Sequence, residues 1–293
     1  VISALIVSYG TCIDSIPTIE KLVSSELVSE VLVIENKRGC ILDWTPGRKE
    51  NEAIKFVLGH KKLKVFESEN NIGFGPAVQK LFLKARSQYA LIINPDCIIS
   101  ENGLSELYEH MASCNCAVVS GCLIRPNKQI DAKNPSMNLF STRSRMNCKR
   151  ISKHFLRFTY FTGALALFDV SKLIKAGNYS SLFMYFDEID TTKKLHKAGY
   201  EIHFIDKIVG THSRGLTTLD NKSKKSDFTA YWSTNSSIKF TRIHNPQFLP
   251  FVYIARFLWA VILFLKGQRR AALAVWEGIK QSKCPTNYNQ GTL

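Results

Sequence analysis

Acid is what this sequence is short of. Lys and Arg outnumber Asp and Glu by 39 to 24, for a net charge of +15 over 293 residues. The shortage is local: residues 125–158 hold a single acid, and residues 207–293 hold three against thirteen cations. A basic end on a near-neutral body favours an anionic surface or substrate, such as phospholipid, nucleic acid or diphosphate. Cysteine at zinc spacing is also lacking. Eight cysteines are present, but Cys114, Cys116 and Cys122 form the only tight group and have no fourth partner. Scattered, mostly buried thiols suit a reducing cytosol. No internal repeat is visible. No signal-peptide pattern precedes the strand-like run Ile2–Val7. Apolar residues at 45% and charged residues at 22% exclude a mainly disordered chain and a polytopic membrane protein.

What is present is an alternation of apolar runs and helical patterns over the first 120 residues. Ala4–Ser8, Glu30–Ile34, Leu63–Phe66, Ala90–Ile93 and Ala117–Ser120 read as strands. Asp14–Leu27, Pro76–Ser87 and Glu101–Met111 read as helices between them. Strands interleaved with helices predict a mostly parallel sheet covered on both faces. Runs such as Leu91-Ile92-Ile93 fit strands buried on both sides. Residues 121–158 break the rhythm and read as a long basic surface excursion. Phe161–Phe168 reads as a strand and Asp187–Ala198 as a helix with Gly199 at its C-terminal turn. Glu201–Ile205 reads as a further strand.

In open parallel sheets, ligands bind beyond the carboxyl ends of the strands. The residues there are Ser8 and Tyr9; Glu35 and Asn36; Asn70, Asn71, Gly73, Phe74 and Gly75; and Asn94, Pro95 and Asp96. All are polar or small except the aromatic rings and the prolines, and they converge on one edge. Gly73 and Gly75 permit close backbone approach. Pro76 suits the first position of a helix whose free N–H groups can face an anion.

Asp187, Glu188 and Asp190 open the next helix. Capping and the helix dipole use one or two acids there, which leaves a surplus carboxylate as a candidate general base. His212 follows Ile208-Val209 and reaches the same edge if that run continues the preceding strand. Asp96 and His212 then offer oxygen and nitrogen to one divalent cation, with a diphosphate supplying further ligands.

The last third changes character. From Phe248 to Leu265 the only charge is Arg256. Lys266, Arg269 and Arg270 follow, then an amphipathic stretch from Ala271 to Ile279. A spanning helix would place Arg256 near mid-bilayer, at a cost of about 2.5–3.5 kcal/mol. A helix lying in the interface avoids that cost and sets its cations against anionic headgroups. Nucleic-acid binding needs aromatics interleaved with a basic face; here the cations cluster around an apolar helix, so no nucleic-acid partner is expected.

Taken in order, the segments ALIVSYG, VLVIENKRG, NIGFGPAVQK, LIINPD, FTGALALF, FMYFDEIDTTKKLHKAGYEIHFI and GTHS resemble an inverting family-2 glycosyltransferase of GT-A fold. They are most similar to the bacterial rhamnosyltransferase-like branch that builds O-antigen and other surface polysaccharides. The resemblance spans about residues 2–215. It implies that Ser8, Tyr9, Glu35 and Asn36 contact the nucleotide and that Asn71 to Gly75 wall its pocket. Asn94-Pro95-Asp96 stands at the place of the DxD-type motif. Asp96 and His212 would then hold Mg²⁺ or Mn²⁺, and Glu188, with Asp187 before it, would act as base. Three departures stand out: Gly10 where the family often has Asn, Glu35 for the commoner Asp, and Asp187-Glu188 for the usual Glu-Asp. The last leaves either acid open as the base, with Glu188 favoured.

The expected organisation is a catalytic domain over residues 1–220, split near residue 120 into nucleotide-binding and acceptor halves. A basic, helical, membrane-associating extension follows over 221–293. The resemblance implies transfer of L-rhamnose from dTDP-rhamnose to a polyprenyl-diphosphate-linked saccharide, at the cytoplasmic face of the bacterial inner membrane as a peripheral protein. Arg214, Lys222, Lys224 and Lys225 would meet diphosphate and headgroups. A UDP-sugar donor (galactose, galactofuranose or N-acetylglucosamine) is the alternative within the class. A non-catalytic nucleotide-sugar-binding homologue is the alternative outside it.

Overall fold

The computed structural model describes residues 1–45, 52–100, 102–149, 156–213 and 222–283. Arg214 lies outside them, and the side chains of Lys222, Lys224 and Lys225 are likewise outside the described set. The strands are β1 (Ile2–Ser8), β2 (Val28–Glu35), β3 (Leu63–Glu67), β4 (Tyr89–Ile93), β5 (Cys97–Ile99), β6 (Val118–Ile124), β7 (Ile130–Ala132), β8 (Ser136–Asn138), β9 (Ser144–Arg145), β10 (Arg157–Thr159), β11 (Leu165–Asp169) and β12 (Ile202–His212). The helices are α1 (Cys12–Val23), α2 (Glu52–Leu58), α3 (Phe74–Phe82), α4 (Gly103–Ser113), α5 (Val170–Lys175), α6 (Asp187–Lys197), α7 (Lys222–His244), α8 (Leu249–Leu265) and α9 (Arg269–Gln281).

The chain divides into two units. The larger comprises Val1–Met137, Ser144–Phe183 and Asp187–Thr218. Its main sheet runs β3-β2-β1-β4-β11-β6-β12-β5, with β7 paired to β6. Strands β3, β2, β1 and β4 are mutually parallel, as are β6 and β12, while β11 and β5 run against their neighbours. Successive residues of one strand feed opposite faces, as the two-residue period requires. Leu91 and Ile93 join Ile16, Ile19, Leu22 and Leu107 from α1 and α4. Ala90 and Ile92 join Val78, Leu81 and Phe82 from α3 on the other face. A sheet buried on both sides explains why its strands read as unbroken apolar runs.

Several boundaries differ from the sequence expectations. Helix α1 ends at Val23 rather than Leu27, because the chain must turn at Ser24–Ser25 to enter β2; Val28 N donates to Ser25 O at 3.3 Å. Helix α3 starts at Phe74, which puts Pro76 at its third residue rather than its first. Residues 161–164 are not strand; β11 begins only at Leu165. The stretch 121–158 is more than a surface excursion. Strand β6 runs on to Ile124, β7 folds back onto it, and β8, β9 and β10 form a second small sheet. Cys114 and Cys116, expected as thiols, form a disulfide just after α4.

The smaller unit comprises Asn138–Arg143, Met184–Phe186 and Leu219–Leu293. Helices α7, α8 and α9 pack on one another within it, and Gly278 of α9 lets that helix close on α7: a Cβ there would stand 2.7 Å from Tyr231 O. Helix α8 turns Val252 and Arg256 inward and leaves Phe251, Ile254, Phe257, Leu258, Ile262 and Leu265 exposed. Arg256 donates to Thr142 Oγ1, and burial lowers its pKa to about 10, so it stays charged at neutral pH. Pro246–Leu265 is long and apolar enough to cross a membrane, with a mean hydropathy of 2.2.

Candidate active site

The site is built on the carboxyl-end edge of the sheet. Asn36 follows β2, and its Nδ2 donates to Asn71 Oδ1 (3.0 Å) and Gly73 O (3.2 Å) while Oδ1 accepts from Ile72 N (3.1 Å). One side chain thereby fixes the loop that leads into α3. Gly73 has φ of +86°, and a Cβ there would meet Phe183 O at 2.3 Å; at Gly75 it would meet Leu182 O at 2.3 Å. These glycines serve a close approach to the 180–183 segment, with Phe74 N donating to Phe183 O at 2.7 Å. Tyr9 stays exposed. A cleft of about 380 Å³ opens on the β3 side of this edge, lined by Arg38, Glu67, Glu69 and Asn70.

Glu35 is placed differently from the expectation that it contacts nucleotide. It is fully buried. Its Oε1 accepts from Gly10 N and Lys37 N, both at 2.9 Å, and its Oε2 from Ser8 Oγ (2.8 Å) and Trp44 Nε1 (3.1 Å). Four donors fill the sites of a carboxylate. Glu35 and Ser8 therefore hold the loop at Tyr9 in place from beneath. Nothing in the sequence signalled that Trp44 would join them.

The Asp96 side is set by sheet register. Strand β12 continues without a break to His212, and β5 pairs with it so that His212 faces Cys97, next to Asp96. Asp96 Oδ1 stands 3.3 Å from His212 Nε2. On the other side of the ring, His212 Nδ1 stands 3.0 Å from Asp131 Oδ2, and Asp131 Oδ1 accepts from Arg125 Nε at 3.1 Å. Burial pushes the His212 pKa down, but the hydrogen bonds and charges of Asp96 and Asp131 outweigh it and the net shift is upward. With Nδ1–H given to Asp131, Nε2 is left facing Asp96. Asp131 is the residue sequence reading missed. Its one signal was being the only acid in a basic stretch.

Adjacent ligands on a Mg²⁺- or Mn²⁺-sized ion lie about 3 Å apart at the usual bond lengths. The Asp96–His212 separation matches that, and the mixed oxygen–nitrogen pair suits such an ion. The fit needs further ligands from a bound diphosphate.

The acidic helix approaches from the neighbouring strand. Asn94 N donates to Ala164 O at 2.9 Å. The preceding residue, Gly163, lies against the acid pair: a Cβ there would sit 4.0 Å from both Asp187 Oδ2 and Glu188 Cβ. Asp187 is buried and accepts from Tyr179 Oη at 2.8 Å. Glu188 is only half-buried. Asp190 pairs with Lys194 at 3.2 Å. Burial raises the pKa of both Asp187 and Glu188, and the Asp187 charge pushes Glu188 further, well above the carboxylate range. Two acids this close titrate as a pair, with Glu188 the last to lose its proton. The residues just before them, Tyr185 and Phe186, have φ of 61° and 63°. Left-handed backbone in a bulky aromatic residue is strained, at about 1–3 kcal/mol each.

Residues 49–175 match the Glycosyl transferase family 2 model. No curated protein matches the chain significantly. Among solved structures, the fold is similar to the mannosyltransferase PcManGT from Pyrobaculum calidifontis, in complex with GDP-Man and Mn²⁺. That likeness has 13% identity and a TM-score of 0.56, over 96% of this chain and 86% of that one. It is also similar to S. aureus TarS 1-349 in complex with UDP-GlcNAc, at 14% identity and a TM-score of 0.56, over 96% and 81% of the two chains. GalNAc-T7 with UDP, GalNAc and Mn²⁺ aligns at 14% identity and a TM-score of 0.58, over 82% of this chain and 50% of that one. The fold is GT-A-like: a mixed, mostly parallel sheet flanked by helices, with C-terminal helices added.

Proposed function

We propose that the protein is an inverting glycosyltransferase using a nucleotide-diphospho-sugar. The observation that carries the reading is the convergence of Asp96 and His212 with Gly163 and the Asp187–Glu188 pair on one sheet edge. The Tyr9 loop and Asn36–Asn71 shape the nucleotide side. Asp96 and His212 hold Mg²⁺ or Mn²⁺, as the ion in the PcManGT and GalNAc-T7 complexes supports. When bound, that ion neutralises charge on the leaving diphosphate.

Glu188 takes the proton of the acceptor hydroxyl as that oxygen attacks the anomeric carbon. The C–O bond to diphosphate breaks as the new glycosidic bond forms, and one displacement inverts the carbon. A raised pKa makes Glu188 a stronger base once its proton is released. Its partial exposure, against the buried and hydrogen-bonded Asp187, supports Glu188 over Asp187 in this role. Holding donor and acceptor in line supplies much of the acceleration.

The donor reading is dTDP-rhamnose, supported by the likeness of the ordered segments to rhamnosyltransferases. The uridine nucleotides in TarS and GalNAc-T7 support a UDP-sugar as the second reading. The acceptor is a polyprenyl-diphosphate-linked saccharide in O-antigen or related polysaccharide synthesis. The protein works peripherally at the cytoplasmic face of the inner membrane, with the exposed apolar residues of α8 in the interface and Lys266, Arg269 and Arg270 against anionic headgroups. Residues 1–220 act as the catalytic domain and 221–293 as its membrane-associating extension.

Calorimetric titration with dTDP, UDP and GDP, each with and without Mg²⁺ or Mn²⁺, tests the reading. Metal-dependent preference for dTDP supports rhamnosyl transfer. Preference for UDP keeps the enzyme class and discards rhamnose. Absence of metal-dependent binding to all three removes the Asp96–His212 site and leaves a non-catalytic homologue.

A further inference from the structure

At the far end of β12 from His212 lies a second cluster of metal-binding side chains, which the proposed reaction does not use. His110 comes from the last turn of α4, Cys114 from the residue after it, and His203 from the start of β12. One ligand atom from each lies within 4.8 Å of the other two. We propose that His110, Cys114 and His203 form a site for a Zn²⁺-class cation, opened and closed by the Cys114–Cys116 disulfide.

The two histidine rings are hydrogen-bonded in this structure, and a cation would take the place of the shared proton, which passes to the other nitrogen of His110. His110 Nε2 and His203 Nδ1 stand 3.0 Å apart, with the rings inclined at 63°. In a tetrahedral zinc site two imidazole nitrogens at about 2.0–2.1 Å from the ion stand about 3.3 Å apart. The other nitrogen of His203, Nε2, is 3.1 Å from Glu201 Oε2. A carboxylate on the far ring nitrogen is the usual partner of a metal-bound histidine; it fixes the tautomer so that Nδ1 presents its lone pair. Cys116 N donates to Cys114 Sγ at 3.4 Å, a contact that also favours a thiolate at that sulfur. The set of two imidazoles and one thiolate suits zinc and excludes magnesium, which takes oxygen. The fourth position is left to water. No further cysteine stands at zinc spacing in the sequence; the fold supplies histidines from two elements instead.

In the structure Cys114 is bonded to Cys116, which removes the thiolate. Reduction by a cellular thiol couple adds two electrons and two protons and yields two thiols. The cation then binds Cys114 sulfur and releases its proton. A disulfide-class oxidant recloses the bond: it accepts both electrons and is reduced to thiols, Cys116 gives up its proton, and the cation is expelled. The cluster is separate from Asp96 and His212: eight residues of β12 lie between His203 and His212, which are nine steps or up to about 30 Å of extended chain apart.

The test uses the full chain, reduced with a phosphine and desalted, with Co²⁺ as the spectroscopic probe. One Co²⁺ per chain should show thiolate-to-metal charge-transfer absorption, and Zn²⁺ should displace it. The band should vanish after disulfide closure and in Cys114→Ser, and Glu201→Gln should weaken affinity about 10–100-fold. Cys116→Ser cannot close the disulfide, so its band should persist in oxidant. Asp96→Asn should keep the band, which separates this site from the donor site. Absence of the band in reduced, folded protein overturns the proposal, as does a band that survives Cys114→Ser or is lost in folded Cys116→Ser.

Discussion

His212 Nδ1 stands 3.0 Å from Asp131 Oδ2, which turns the other ring nitrogen toward Asp96. In the proposed reaction Asp131 would act through His212, and Arg125 holds Asp131 in turn. Replacing Asp131 with Asn should keep the fold and the nucleotide pocket but lower metal affinity about 10–100-fold. Titrating Mn²⁺ against turnover reads this directly. The required metal concentration should rise while kcat at saturating metal recovers. An unchanged metal requirement would remove Asp131 from the site.

Glu188 and Asp187 should separate on substitution. Glu188→Gln should lower kcat about 10²–10⁴-fold with donor binding intact. Asp187→Asn should weaken the bond from Tyr179 and cost about 1–3 kcal/mol of stability, with a smaller loss of turnover. The reverse pattern in kcat would make Asp187 the base.

The same residue gives a pH signature. Burial and then the Asp187 charge raise the folded-state pKa of Glu188 well above its unfolded value of about 4.5. The folded state therefore holds its proton longer. The resulting contribution to stability is fully present below the unfolded pKa and is lost as pH rises through the folded pKa. Glu188→Gln removes that ionisation. Metal-free wild type should lose Tm relative to Glu188→Gln as pH climbs above about 4.5, and the variant should be the more stable of the two at neutral pH. Parallel Tm curves for the two proteins would refute the shift.

Much of this site was legible because buried parallel strands advertise themselves. Ala4–Ser8 and Leu91–Ile93 read as apolar runs, so the polar residues after them, down to Asn94-Pro95-Asp96, could be placed on one edge. Asp131 could not be. Strand β7 is three residues long, and only its pairing with β6 brings Asp131 to His212. Strand β5 is equally short, and the Asp96–His212 contact depends on its antiparallel register. Glu35 was placed correctly at the strand end but given the wrong neighbours. Which atoms face a carboxylate is a matter of loop geometry: Gly10 comes from the β1–α1 loop, Lys37 from just after β2, and Trp44 from the end of a short 3-10 helix over Ile41–Trp44. Gly73 and Gly75 look like an anion loop in sequence; the fold uses them to admit the backbone of residues 182–183.

Glu35→Gln tests the account of that buried carboxylate. An amide keeps one accepting oxygen and turns an NH₂ toward two former donors. Two buried donors then lose their partner, at about 1–3 kcal/mol each. The variant should unfold at markedly lower denaturant, and nucleotide affinity should fall because the Tyr9 loop loses its support. A Glu35 that touched nucleotide directly would instead show weakened binding with stability near wild type.

The exposed face of α8 should behave as an interfacial anchor. Phe257 and Leu258 are about half exposed, so charge there leaves the packing of α7, α8 and α9 intact. Phe257→Asp with Leu258→Asp should abolish cosedimentation with vesicles containing anionic lipid while Tm stays unchanged. Reversing Arg269 and Arg270 to Glu should weaken binding to anionic vesicles, each lost cation being worth about 1 kcal/mol, and should leave neutral vesicles unaffected. Added salt should mimic the second pair and not the first, because screening reaches the cations and not the apolar contact. The inward position of Arg256 sharpens the distinction between lying in the interface and crossing the membrane. Its guanidinium turns inward and donates to Thr142 Oγ1, so it is not presented to lipid, although burial still disfavours its charge. Carbonate extraction then decides: release of the protein from membranes supports the interfacial helix, and retention through extraction assigns Pro246–Leu265 as a span.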